Sequence, residues 1–82
     1  MIYLIQYDRT QGQLVNLVAF RADNKQRAEE ARLEVELALL RAHVWHEVVL
    51  LEAKNEHELR KTHRRYFERL DQLLTESSVV AQ

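Results

Sequence analysis

The sequence predicts an α+β fold: a two-layer ββαβα sandwich whose three-stranded mixed sheet, in the order 2-1-3, carries both helices on one face. Three observations predict it. Two stretches rich in aliphatic, β-branched and aromatic residues flank a polar segment that holds the only glycine, which is the pattern of a hairpin. An Ala/Glu/Leu-rich stretch with helical spacing follows. A second β-branched run then gives way to another helically spaced stretch.

Taken in order, residues 1–7 (MIYLIQY) mix aliphatic and aromatic side chains with almost no polar break and form the first strand. Residues 8–13 are polar and contain Gly12, able to take a positive φ cheaply, so they form the hairpin loop. Residues 14–20 (LVNLVAF) form the second strand. Asp23 is an acidic N-cap with Gln26 three positions on, a capping-box arrangement that starts a helix over residues 24–42. Residues 44–53, with Val44, Trp45, Val48, Val49, Leu50 and Leu51, form the third strand. Asn55 and Glu58 repeat the capping logic, and Leu59, Tyr66, Phe67, Leu70, Leu73 and Leu74 recur at helical spacing, giving a second helix over residues 56–74. The chain thus divides into one domain, residues 1–74, and a flexible tail, residues 75–82. A right-handed crossover makes the third strand parallel in direction to the second, and the first strand takes the middle of the sheet, in keeping with its near-continuous apolar character.

Composition bounds what such a domain does. The chain has 82 residues, with 12 Lys+Arg against 13 Asp+Glu and a net charge of -1, so it exerts no long-range pull on nucleic acid. With no cysteine, disulfides and thiolate metal sites are excluded. A chain this short hides only a little over ~60% of its unfolded surface, which leaves a marginal core and makes assembly with a partner a natural remedy. The N-terminal stretch lacks the pattern of a secretory leader, and the longest apolar runs, Leu37 to Leu40 and Val48 to Leu51, fall far short of the ~20 residues that cross a bilayer. A cytoplasmic protein without membrane partners is expected.

The apolar faces point to association. Strand alternation sends Ile2 and Leu4 to one side of the sheet and Tyr3, Ile5 and Tyr7 to the other, and the other two strands are likewise apolar on both sides. With both helices on one face, the other needs a cover: a partner, or the stems of Arg and Lys together with the tail. In the first helix, Ala28, Ala31, Val35, Ala38, Leu39 and Ala42 form a stripe suited to close packing on a sheet. Leu33, Leu37 and Leu40 form a second stripe nearly opposite, which meets either the second helix or a partner. The expected function is a small homodimeric interaction or regulatory module, with Leu33, Leu37 and Leu40 or Tyr3, Ile5 and Tyr7 as its interface.

Other chemistry finds less support. Of the four histidines, His43 and His46 are separated by two residues but straddle a helix end and a strand, so they lack fixed ligand geometry, and two imidazoles fall short of a zinc site. No metal or other cofactor is expected. His63, inside the apolar stripe of the second helix, reads either as a general base beside Tyr66 or, more simply, as a hydrogen-bonded boundary residue. Arg60, Lys61, Arg64 and Arg65 form the only dense basic run, interleaved with Tyr66 and Phe67. They carry the alternative reading of a nucleic-acid-binding accessory protein. Nearby acids cancel them, five against five from residue 56 onward. A third reading places a small ligand between sheet and helices around Tyr3, Tyr7, Trp45 and His63. There is no cysteine nucleophile, no glycine-rich phosphate loop and no G-x-S-x-G elbow, so catalysis is not expected.

Overall fold

The computed structural model describes residues 1–68. In chain order it comprises β1 (Ile2–Asp8), β2 (Gln13–Phe20), α1 (Lys25–Ala42), β3 (Glu47–Glu52), α2 (Glu56–Thr62) and a 3₁₀ turn (Arg64–Tyr66). The fold is α+β and the strand order is β2-β1-β3, with β1 central as its composition demands. Both neighbouring pairs are antiparallel, so the sheet is antiparallel throughout and not mixed. The reason is geometric: β2 and β3 do run the same way, joined by the α1 crossover, but β1 lies between them and opposes both.

In the hairpin, Gly12 takes the expected positive φ of 64°. The Asp8 carboxylate accepts hydrogen bonds from the backbone N–H groups of Thr10 (3.0 Å) and Gln11 (3.2 Å), which closes the turn. A register shift follows, with Gln6 opposite Asn16 but Tyr7 opposite Leu14, so Val15 is left without a counterpart and exposed.

The helix starts divide. Asn55 caps α2 as its sequence suggests, its Oδ1 accepting from the Glu58 N–H at 2.9 Å. At α1 the capping box does not form: Asn24 is the N-cap and makes no side-chain bond. Asp23 is drawn instead to Arg21 (3.1 Å), and Gln26 to Glu30 (3.4 Å).

Two elements are shorter than their composition suggests. Val44, Trp45 and His46 precede β3 instead of belonging to it: by the register, the counterparts of Val44 and Trp45 would lie beyond Asp8, where β1 ends, and His46 stands at that limit opposite Asp8. The second helix stops at Thr62 instead of continuing to Leu74, since His63 leaves the helical region (φ -124°, ψ 52°). The Thr62 hydroxyl donates to the Glu58 carbonyl at 3.0 Å, a local bond that competes with helix continuation. Leu70, Leu73, Leu74, the domain end at residue 74 and the tail over residues 75–82 lie outside the described residues.

That early stop decides the architecture. Tyr3 and Ile5 are buried in one cluster with Leu59, Tyr66 and Phe67, against which Tyr7, Leu14, Leu17, Val49 and Leu51 also pack. All the strand members share one sheet face by register. Ile2 and Leu4, on the opposite face, are equally buried, and α1 lies against the strands there and buries Ala28 and Ala31. The helices therefore cover opposite faces of the sheet, giving three layers, not a two-layer sandwich with both helices on one face. The sheet faces are both apolar because each has its own helical cover.

Candidate association surface

With both faces covered from within the chain, Tyr3 and Ile5 are core residues, 5% and 0% exposed, and Tyr7 is half-buried. Their expected role as an interface on an open sheet face does not fit this arrangement, since α2 and the 3₁₀ turn occupy that face. The other candidate set stands in the open.

On α1, Ala28 and Ala31 are buried and Val35 and Leu39 half-buried, so the stripe that meets the sheet is narrower than the sequence pattern suggests; Ala38 and Ala42 are exposed. Small side chains at positions 28 and 31 let the helix approach the strands closely. Leu33, Leu37 and Leu40 lie about 200° around the helix from that stripe by the helical period. They are 55%, 40% and 59% exposed, so α2 does not cover them. A solvated face of a globular helix ordinarily carries polar residues, and an isolated exposed leucine would need no explanation, but three in line form a patch.

The end of α1 extends this patch. His43 adopts the left-handed conformation (φ 56°), its N–H bonding to the Leu40 carbonyl (3.2 Å) and the Val44 N–H to the Leu39 carbonyl (3.0 Å). This is the double-bonded C-terminal motif that usually places glycine where His43 stands. It ends α1 at Ala42, and Val44 and Trp45 follow outside the helix, both of them exposed. Trp45 is 79% exposed, the highest value among the large apolar side chains described. Beside it, Glu36, Leu39, Leu40, Val44, Trp45, His46 and Val48 line an open cleft of about 280 Å³. As part of an association surface Trp45 escapes sequence reasoning, because its neighbourhood reads as strand and the ligand reading places it between sheet and helices. The only signal that could have flagged it is a bulky aromatic just beyond a helix end.

The aromatics proposed to line a ligand pocket are not brought together. Tyr3 and Tyr7 lie on the α2 side of the sheet, whereas Trp45 lines the cleft on the α1 side. His63 is half-buried at the break after α2, with its backbone N–H donating to the Leu59 carbonyl (2.9 Å). His46 accepts from the Gln6 amide at Nδ1 (2.9 Å) and has Nε2 3.9 Å from Asp8. No group of three His, Asp or Glu side chains is placed to hold a metal ion among the described residues.

The basic residues are partly spoken for. Arg65 donates to the Glu47 carboxylate and to the Tyr66 hydroxyl (3.1 Å), and its guanidinium lies 4.5 Å from the centre of the Tyr66 ring. Tyr66 in turn donates to Glu47 and meets Tyr7 edge to face, with ring centres 5.3 Å apart. That hydroxyl bond holds the Glu47 carboxyl below the ordinary glutamate range, against partial burial and with help from Arg65 and Arg9. Burial, then the Glu47 carboxylate, push the Tyr66 phenol above its usual range. Sequence reasoning missed Glu47, because its partners lie 18 and 19 residues away across the sheet. Arg60 lies 4.7 Å from the centre of the Phe67 ring and Lys61 is 3.9 Å from Glu58; Arg64 is exposed. Two of the four basic side chains thus pack on the aromatic side chains that seal the core instead of presenting a free row to phosphate.

Among the described residues no helix is long and apolar enough to cross a membrane. Comparison with protein families, with curated proteins and with solved structures gives no match to this chain, so the functional reading rests on its own geometry.

Proposed function

We propose that this chain is an association module that works as a homodimer, and that the outer face of α1 is its contact surface. The observation that carries the reading is the set of exposed apolar side chains Leu33, Leu37 and Leu40 on the outer face of α1 and Val44 and Trp45 just after it, with Leu40, Val44 and Trp45 lining the cleft. Much of their apolar surface stays in water in the single chain. Burying it recovers about 25 cal/mol for each Å² of apolar surface removed from water. A two-fold contact buries it on both copies with one sequence solution.

The test is the solution mass of the wild-type chain and of Leu37→Glu, by light scattering over a micromolar concentration series. The wild type is expected as a dimer and the variant as a monomer with an unchanged circular dichroism spectrum, since Leu37 is outside the core. A wild-type monomer, or a variant that remains dimeric, overturns the reading.

A further inference from the structure

Resting on that reading, we propose that the second copy docks with its α1 antiparallel to the first, Leu37 of each packing on Leu40 of the other and Leu33 entering the cleft beside Trp45 of the other. Three features of α1 and its C-terminal turn carry this.

The first is spacing. Positions 33, 37 and 40 advance by four and three residues, the steps of a seam that stays in line along one side of a helix pair, and Val44 follows outside the helix, after the left-handed turn at His43. When the seam is paired with itself in reverse, Leu37 comes level with Leu40 of the second copy, and Leu33 comes to the end of the second copy's α1, where Val44 follows the turn. Val44 is a wall of the cleft, together with Leu40 and Trp45. A seam of three residues is short against the ~800 Å² per partner of a standard interface. The cleft and Trp45 extend it, and Leu33 of the second copy is the side chain that this register brings to them.

The second feature is charge. By the helical period, Glu30, Glu34 and Arg41 flank the seam on one side, and Glu29 and Glu36 flank it on the other. In a parallel pair, opposite flanks would meet, setting Glu30, Glu34 and Arg41 of one copy against Glu29 and Glu36 of the other, so that an attraction between Arg41 and Glu36 would be offset by Glu34 meeting Glu29. In an antiparallel pair each flank meets its own copy running in reverse. Glu34 then comes beside Arg41 of the second copy, and the pairing occurs twice about the two-fold axis.

The third is availability. Arg27 lies 3.9 Å from Glu30 and 3.3 Å from Glu34, and Arg32 lies 3.6 Å from Glu36. Arg41, the cation that the antiparallel register uses, makes no ion pair among the described residues.

The experiment exploits the absence of native cysteine. In Lys25→Cys, at the exposed first residue of α1, a spin label marks one end of the helix. With residue 37 level with residue 40, Lys25 lies level with position 52, so the two labels are 27 residues apart along the axis, about 40 Å at 1.5 Å per residue. A parallel pair places them within about 20 Å, near the 8–10 Å spacing of packed helices plus the label arms. A long distance supports the antiparallel register, and a short one in a dimer overturns it while leaving the association reading intact. A monomer overturns both. As an independent readout, Arg41→Glu is expected to weaken dimerisation roughly three- to tenfold, as two exposed ion pairs become repulsions. Glu34→Arg combined with Arg41→Glu is expected to restore it. Failure of the double variant to recover affinity counts against the Glu34–Arg41 contact.

Discussion

The Tyr66 hydroxyl donates to the Glu47 carboxylate and so ties the 3₁₀ turn to the first residue of β3. Removing the donor with Tyr66→Phe leaves a half-buried carboxylate short of one partner while keeping the ring against Tyr7. Hydrogen bonds to charged groups contribute about 1.5–3 kcal/mol, and Arg65 remains to offset part of the loss, so a destabilisation of roughly 1–2 kcal/mol is expected in urea unfolding at neutral pH. A loss under ~0.5 kcal/mol, the scatter of neutral surface changes, counts against the bond.

The same bond sets a pH dependence. The Glu47 carboxyl is held below its unfolded value, first by Tyr66, so its contribution is full above ~pH 4.3 and is lost as pH falls through the lowered folded value. The Tyr66 phenol is raised, so its contribution is full below ~pH 10 and is lost as pH rises through the raised folded value. Stability against pH should therefore fall less steeply at both limits in Tyr66→Phe than in the wild type. Identical limbs in the two proteins would show that neither titration is coupled to folding.

Phe67 is 2% exposed and closes the core cluster over Ile5 and Leu59. Truncating a buried phenylalanine to alanine costs ~3–5 kcal/mol, comparable to the whole stability of a small domain. Phe67→Ala is expected to be largely unfolded at room temperature by circular dichroism. A folded variant that has lost less than ~1 kcal/mol would place Phe67 outside the energetic core.

Phe67 also shows what was legible in the sequence. Helical spacing puts Leu59, Tyr66 and Phe67 in the core, and they are buried, yet the helix that the spacing implies ends at Thr62. Hydrophobicity determined that they would be inside; backbone conformation between them was free to vary. The break at His63 has no glycine or proline to announce it, and so the side of the sheet that α2 covers could not be read. The strand order follows from the crossover and from the apolar run of β1, both visible in sequence. The Leu33, Leu37 and Leu40 stripe was legible because it lies within one helix, where period alone fixes direction. Glu47 with Arg65, like Asp23 with Arg21, depends on which partner wins a carboxylate in three dimensions, and no local pattern encodes that.

His43 carries a side chain at a backbone position suited to glycine (φ 56°). The left-handed conformation costs a residue with a Cβ roughly 1–2 kcal/mol, although histidine tolerates it better than most. His43→Gly removes that cost but adds freedom to the unfolded chain, so a net gain of about 0.5–1 kcal/mol is expected. His43→Val, β-branched, should lose at least as much. Both are measured by chemical denaturation at one fixed protein concentration, because association would shift apparent stability. A glycine variant less stable than wild type would mean that the imidazole itself makes a contribution larger than the backbone strain.

The basic face supplies the last expected outcome. Arg60 and Arg65 are stacked on Phe67 and Tyr66, Arg65 is also bonded to Glu47, and the chain as a whole carries a net charge of -1. Phosphate contacts draw their affinity from cations that release counterions, and a guanidinium already shared with a carboxylate and a ring has less to give. Binding to a mixed-sequence DNA or RNA at ~150 mM salt should therefore be no tighter than the non-specific range of ~10⁻⁴–10⁻⁶ M. Tighter binding with a steep salt dependence would favour the nucleic-acid reading over association, and the exposed Arg64 would then be the first side chain to replace. If Arg64→Ala reduced both affinity and salt slope while leaving the dimer intact, phosphate would be engaged directly at this face, and the α1 strip would serve only to pair two such faces.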